Sequence, residues 1–134
     1  MLVLAQGDEG VSIMNKDIAD KQNLPVTYLE QLMLSLRKAG LVVATRGAHG
    51  GYMLARSAND VNLAEIVEAL EGELEVADCA DVPNCTISPE CCAIRDVFAE
   101  ANKALFDVFR KYTLADLVHN QRMKEEERSP VYYI

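Results

Sequence analysis

Apolar residues recur at helical spacing in two neighbouring segments near the start of the chain. Ile18 and Ala19 mark the inner face of a short helix over 15–22. Leucines and a methionine at spacings of three and four predict a second helix over 26–38. An Asn-Leu-Pro sequence breaks the pattern between them, and Gly40 is a stop signal after the second helix. Two consecutive helices joined by a tight turn are therefore predicted.

The hydrophobic period changes after the second helix. Two short strand-like runs, 41–45 and 52–55, flank a glycine-rich turn that begins at Arg46, which predicts a β-hairpin. Farther along, a variant capping box formed by an asparagine and a glutamate opens a helix over 63–70. A long amphipathic pattern then predicts a helix over 93–111.

The order helix, turn, helix and hairpin is typical of a winged helix-turn-helix domain. In such a domain the second helix enters the major groove of DNA, and the hairpin lies over the adjacent minor groove. Arg46 at the hairpin tip suits that narrow groove, although a generic helical protein with a solvated Arg46 is the alternative. We predict a mainly α fold: a winged helix-turn-helix with a small two-stranded β wing and a long C-terminal dimerisation helix.

The predicted organisation divides the chain into four parts. A threonine is expected to cap a last helix over 114–120. The parts are a DNA-binding domain (1–72), a cysteine-containing cluster loop (73–92), the dimerisation and C-terminal helices (93–120) and a tail (121–134).

Charge modifies this interpretation locally. The net charge of −8 argues against nucleic-acid binding, since phosphate contacts need clustered Lys and Arg. However, residues 16–56 carry six basic and three acidic side chains, whereas residues 57–91 carry nine acidic side chains and no Lys or Arg. One part of the surface can therefore approach a polyanion while the other is repelled by it.

Membrane insertion and catalysis are not indicated. No stretch reaches the ~18 apolar residues that a membrane span requires. The apolar start over 1–5 is too short for a signal sequence, so a cytoplasmic protein is expected. No Ser/His/Asp set, phosphate-binding loop or paired carboxylates emerge, which argues against an enzyme.

Cysteines supply the candidate metal chemistry. Cys79, Cys85 and Cys91 are each separated by five residues, and Cys92 follows directly. Three thiolates on one loop can converge on a soft metal or a cluster. The spacing is not the C-x-x-C of a zinc ribbon, but zinc, a thiol switch or no role remain open from the residues themselves.

Several segments together resemble one family of bacterial transcription regulators, the Rrf2 family, whose members include IscR, NsrR and CymR. The segments are YLEQL (28–32), LRKAGLV (36–42), RGAHGGYMLA (46–55), residues 63–72 and TLADLVHNQ (113–121). The resemblance implies a homodimeric repressor or activator that binds double-stranded operator DNA. Chains of that family usually begin earlier, with a basic and aromatic stretch, so this chain is expected to start inside the first helix.

The resemblance also implies a cofactor. It implies a [2Fe–2S] or [4Fe–4S] cluster ligated by Cys79, Cys85 and Cys91. A fourth ligand is not evident, because Ile94 stands where some cluster-binding members have a histidine.

The second helix and the hairpin carry the candidate DNA contacts. The Glu30 carboxylate can accept a hydrogen bond from cytosine N4, and the resemblance implies that it tunes operator choice. Exposed neighbours can donate to phosphates or base edges, and His49 is expected to be a turn residue near the DNA backbone rather than a metal ligand. The predicted DNA-facing residues are Thr27, Tyr28, Glu30, Gln31, Arg37, Arg46 and His49.

Three functions are compatible with these features. The first is a DNA-binding regulator that senses redox, iron–sulfur or nitric-oxide status through the cluster. The second is a cluster-free, thiol- or metabolite-responsive repressor, and the third is an iron–sulfur carrier. The Arg46 hairpin and the Glu30 helix favour a regulator, because a carrier needs neither.

Overall fold

The computed structural model describes residues 1–47, 50–72, 87 and 92–128. Within these residues the chain forms six α-helices and one two-stranded sheet. The helices are α1 (Leu2–Gln6), α2 (Asn15–Gln22), α3 (Val26–Lys38), α4 (Leu63–Glu71), α5 (Ala93–Arg110) and α6 (Leu114–Arg128), and the strands are β1 (Val42–Thr45) and β2 (Gly51–Leu54). None of the described helices is long and apolar enough to cross a bilayer.

The turn between α2 and α3 depends on an asparagine. Asn23 has a left-handed backbone with φ 51°, a conformation that asparagine adopts more readily than most residues. Its backbone N–H points to the carbonyl oxygens of Ala19 and Asp20, which cap the end of α2. Pro25 is the N-cap of α3, one position before the first turn in which the sequence predicted it. This geometry sets the two helices of the predicted helix-turn-helix against each other.

One hydrophobic core contains residues of α1, at the start of the chain, and of α6, the last helix. Met33 of α3, Leu41, Val42 of β1 and Val61 are among its most buried side chains. Leu114, the first residue of α6, belongs to the same core and is 0% exposed. The winged domain is therefore completed by a residue from outside the predicted 1–72 segment.

The wing contains a contact that the sequence pattern did not predict. β1 and β2 pair in antiparallel register from Val42 opposite Leu54 to Thr45 opposite Gly51. Beyond this hairpin, Ile13 exchanges two 2.9 Å backbone hydrogen bonds with Tyr52. A Cβ atom on Gly51 would collide with the Ile13 carbonyl oxygen. Only glycine at this position allows the segment before α2 to pair with β2.

Gly51→Ala is expected to destabilise the fold by about 2–3 kcal/mol, because the added methyl group meets backbone atoms that cannot move independently. Gly7→Ala is the matched control, since the nearest atom to its Cβ would be the end of the Ile13 side chain at 3.1 Å, and the nearest backbone atom, the Leu4 carbonyl oxygen, would be at an ordinary contact distance of 3.5 Å. Urea unfolding followed by circular dichroism measures both variants. Equal unfolding free energies for the two would contradict this account of Gly51.

Backbone hydrogen bonds join the start of α4 to the short connection between α5 and α6. The Leu63 N–H donates to the Tyr112 carbonyl at 2.9 Å, and the Leu114 N–H donates to the Val61 carbonyl at 2.7 Å. The predicted capping box is present: Asn62 Oδ1 accepts from the Glu65 N–H at 3.1 Å, and the Glu65 carboxylate accepts from the Asn62 N–H at 3.0 Å. The segment that contains α4 and α5 therefore begins and ends at neighbouring backbone positions.

The last helix is longer than predicted. Thr113 caps α6 as expected, because its hydroxyl accepts from the Asp116 N–H at 3.1 Å. The Thr113 backbone N–H and hydroxyl in turn donate to the Asp116 carboxylate, which lowers the pKa of Asp116. The helix continues to Arg128, so the prediction that it ends near Asn120 and is followed by a tail from 121 was wrong.

Candidate nucleic-acid interface

The outer face of α3 carries the helical residues that were predicted to meet DNA. Its inner face is buried, through Leu29, Met33 and Leu36. With about 3.6 residues per turn, Thr27, Gln31 and Lys38 fall in one stripe on the opposite side. All of the predicted DNA-facing residues in the helix are exposed, and Tyr28 retains 49% exposure: Thr27, Tyr28, Glu30, Gln31 and Arg37.

The first turn of α3 is suited to an anion. Its N-cap, Pro25, offers no side-chain hydrogen bond, and the first turn has no acidic residue. The backbone N–H groups of this turn therefore keep their partial positive charge without internal compensation. Arg37 and Lys38 lie in the last turn, so their charges complement the negative end of the helix and add positive charge to its outer face.

The wing presents Arg46 at its tip. Arg46 follows β1 directly and is exposed, and it forms no ion pair within the described part of the chain. Thr45 fixes the end of the hairpin below it, because its Oγ1 accepts from the Gly51 N–H at 3.2 Å. The turn is closed by the Gly50 N–H, which donates to the Gly47 carbonyl at 2.9 Å. The predicted contact His49 lies outside the described residues.

A second arginine near the wing forms an ion pair within the protein. Arg56, two residues after β2, donates to the Glu65 carboxylate of α4. Partial burial acts to raise the pKa of Glu65, but the hydrogen bonds from the Asn62 backbone N–H and from Arg56 outweigh it, so the pKa is lowered. Arg56 is thus partly neutralised, whereas Arg46 keeps its charge available for a partner.

The long helix α5 has an apolar face that one chain does not cover. It contains no buried residue, although its apolar residues recur at helical spacing. Ile94 and Val97 are 64% and 65% exposed, and Leu105 is only partly covered. The opposite side carries charged pairs such as Lys103 and Asp107, whose Nζ and Oδ2 atoms are 2.6 Å apart.

The predicted metal ligands Cys79, Cys85 and Cys91 lie outside the described residues. Cys92 is described: it is a half-buried free thiol at the N-cap of α5. In the described ranges no group of three or more His, Cys, Asp or Glu side chains is placed to hold a metal ion. The predicted ligand set thus belongs entirely to the segment that connects α4 to α5.

The chain matches the model of the Rrf2 family, described as an iron-dependent transcriptional regulator, over residues 1–120. It belongs to the Rrf2 family. This Rrf2 chain is 41% identical to the protein rrf2 of Nitratidesulfovibrio vulgaris over 113 residues, which cover 84% of the chain and 74% of that protein. Other relatives, such as the IscR of Erwinia tasmaniensis, are named HTH-type transcriptional regulators, a non-enzymatic class, so the prediction of a regulator rather than an enzyme is confirmed.

Solved structures confirm the winged-helix fold. The structure of T. potens IscR matches with a TM-score of 0.72 and 34% identity, covering 98% of this Rrf2 chain and 87% of that one. The structure of CymR, described as the global cysteine regulator of B. subtilis, also matches with a TM-score of 0.72, at 33% identity and with coverage of 89% and 87%. The neighbours therefore include both an IscR and a CymR.

One exposed residue of α3 was not among the predicted DNA contacts. Leu34 is 42% exposed on the outer face, in the stripe of Gln31 and Lys38. The sequence contains a signal for it, because Leu34 falls outside the helical spacing that places Leu29, Met33 and Leu36 on the inner face.

Proposed function

We propose that this Rrf2 regulator binds operator DNA as a homodimer and that a cysteine-ligated iron–sulfur cluster controls its affinity or operator preference. The outer face of α3 is the observation that carries the DNA-binding part. It combines exposed hydrogen-bonding side chains with an uncapped helix start, in a chain whose net charge is −8. A surface of this kind in an otherwise acidic protein is suited to a polyanion.

Each part of this surface has a distinct role in the proposed complex. α3 enters the major groove, where Thr27 and Gln31 reach base edges or phosphates and Glu30 accepts from cytosine N4. Tyr28 and Arg37 flank that contact and bind the backbone. Arg46 enters the narrow minor groove beside it, together with the turn that contains His49.

The proposed homodimer is formed through α5. An exposed apolar stripe along an entire helix is costly in water and is typical of an interface. A second copy of the chain presents the same stripe, so a two-fold symmetric pairing covers both at once. Pairing also places two α3 helices on one duplex, as expected for regulators that bind two half-sites.

The proposed cluster ligands are Cys79, Cys85 and Cys91. Three soft thiolates are the donor type that iron–sulfur clusters require, and the flanking residues Gly72 and Cys92 belong to helix ends that fix the start and finish of the segment. When bound, a [2Fe–2S] or [4Fe–4S] cluster supplies one-electron redox chemistry. A cluster held by these three thiolates would act on the connection between α4, whose Glu65 pairs with Arg56, and the proposed dimer helix α5.

A thiol-based regulator without a cluster is the second candidate. Cys92 favours it, since this thiol is free and only half-buried. Similarity to CymR, a cysteine regulator by its description, and Ile94 in place of a histidine point the same way. In this alternative the cysteines respond directly by oxidation or modification.

Arg46→Ala is expected to weaken operator binding by about 1–3 kcal/mol. The slope of the logarithm of the binding constant against the logarithm of salt concentration is expected to decrease in magnitude by about one, the contribution of one phosphate contact. The duplex is one that the wild-type protein enriches from a random-sequence pool, and binding is followed by fluorescence anisotropy over a salt series. Arg122→Ala is the control, because Arg122 is an exposed arginine of α6, an element that has no part in the proposed DNA contact. An Arg46→Ala variant with wild-type affinity at every salt concentration would remove the wing from the proposal.

A further inference from the structure

Leu34 is a large apolar side chain in the middle of a polar surface. It lies one helical turn after Gln31 and two turns after Thr27, and its side chain is 42% exposed. The polar residue Lys38 follows one turn later on the same stripe, and it is exposed as well. Leu34 therefore lies on the face that is offered to DNA in the proposed function.

The position of Leu34 on the outer face of α3 distinguishes it from an ordinary exposed leucine. Single exposed apolar residues are common on proteins and need no explanation. Leu34, however, is about 4.5 Å along the helix axis from Gln31, a rise comparable to one base-pair step of about 3.4 Å. A base edge next to the one read by Gln31 would meet the two methyl groups of Leu34.

We propose that Leu34 is a specificity-determining residue that recognises the C5-methyl group of a thymine in the major groove. This inference rests on the proposed operator binding through α3. Thymine is the base that presents a methyl group in that groove, and apolar side chains contact it favourably. An adenine, guanine or cytosine edge at the same place would lose hydration against Leu34 without gaining a hydrogen bond, so those bases are disfavoured.

The test removes the methyl group from the DNA and the side chain from the protein. Each thymine of the duplex enriched by the wild-type protein is replaced in turn by deoxyuridine, which keeps base pairing and loses only the methyl group. For the wild-type protein, one replacement is expected to weaken binding about fourfold, the effect of losing one buried methyl group. For Leu34→Ala, the same replacement is expected to have no effect on the dissociation constant.

Two further variants separate a specific contact from a general one. Leu34→Met keeps an apolar side chain at the position and is expected to retain sensitivity to deoxyuridine. Val43→Ala removes an exposed apolar group from β1, outside α3, and is also expected to retain it. Thermal unfolding confirms that each variant folds, as expected for exposed positions.

The outcomes distinguish this inference from the proposed function. Deoxyuridine sensitivity that is equal in the wild type and in Leu34→Ala, or absent at every thymine, overturns the role of Leu34. If Gln31→Ala still weakens binding in that case, operator binding through α3 is supported and only the role of Leu34 fails. If the wild-type protein enriches no sequence from the pool, the proposed function fails and the inference fails with it.

Discussion

Replacing Leu105 by aspartate is expected to dissociate the proposed dimer or unfold the protein, and to abolish operator binding. Leu105 lies on the apolar stripe of α5, and each subunit of the variant would bring one unpaired carboxylate into the interface. An unpaired buried charge costs about 3–5 kcal/mol, so two of them weaken the dimer by about four orders of magnitude or more. Size-exclusion chromatography with light scattering measures the oligomeric state, and circular dichroism reports whether the monomer remains folded.

The matched control adds the same charge to the other side of the same helix. Ala99 is exposed and lies about 120° around α5 from Leu105. Like Leu105→Asp, Ala99→Asp lowers the helix propensity and adds one carboxylate. It is nevertheless expected to leave the dimer intact. A stable, monodisperse dimer of Leu105→Asp would refute the assignment of α5 to the interface.

Loss of any one thiolate from the cysteine triplet is expected to abolish the visible iron–sulfur absorption of protein prepared without oxygen. Thiolates are the strong soft ligands of such a cluster, and three of them act as one unit. Alanine at Cys79, Cys85 or Cys91 should therefore have the same effect. Cys92→Ala is the control and should keep most of the absorption, because its neighbour Cys91 already occupies the ligand position.

Operator titrations decide whether a bound cluster has a regulatory consequence. Binding at the cysteine segment changes DNA affinity only as far as it stabilises the DNA-competent arrangement more than the other. The cluster-loaded and apo forms should therefore differ in operator affinity or sequence preference. Equal behaviour of the two forms would end the sensing proposal even if iron is bound. An iron-free protein whose operator binding responds to thiol oxidation would favour the second candidate.

The helix-turn-helix was predictable because its boundaries have strong local causes. The predicted segments 15–22 and 26–38 coincide with α2 and α3. Asn23 supplies the left-handed turn, and Pro25 fixes the entry to α3. The capping box at Asn62 is equally local, since it needs only a glutamate three residues later.

Other features depend on tertiary contacts that have no periodic signature. The pairing of Ile13 with Tyr52 is a single bridge between distant parts of the chain. One bridge is too short to produce the alternation of apolar and polar residues by which a strand is predicted. The end of α6 was missed for a different reason. Residues 121–128 have no apolar period but are rich in good helix formers, and a hydrogen bond of 2.7 Å between Gln121 and Glu125 supports the exposed helix.

The hydrogen bonds between Val61 and Leu114, and between Leu63 and Tyr112, close the intervening chain into a loop with its two ends held side by side. In topological terms, residues 62–113 leave and return to neighbouring anchor points, and α4 remains packed in the core of the winged domain through Ile66. A change in the length of residues 73–91 leaves both anchor points where they are, because loop closure depends only weakly on loop length. The proposed cluster-binding segment can therefore differ in length without moving α3, the wing or Leu114, so the proposed sensor and the proposed DNA-binding surface are structurally separable.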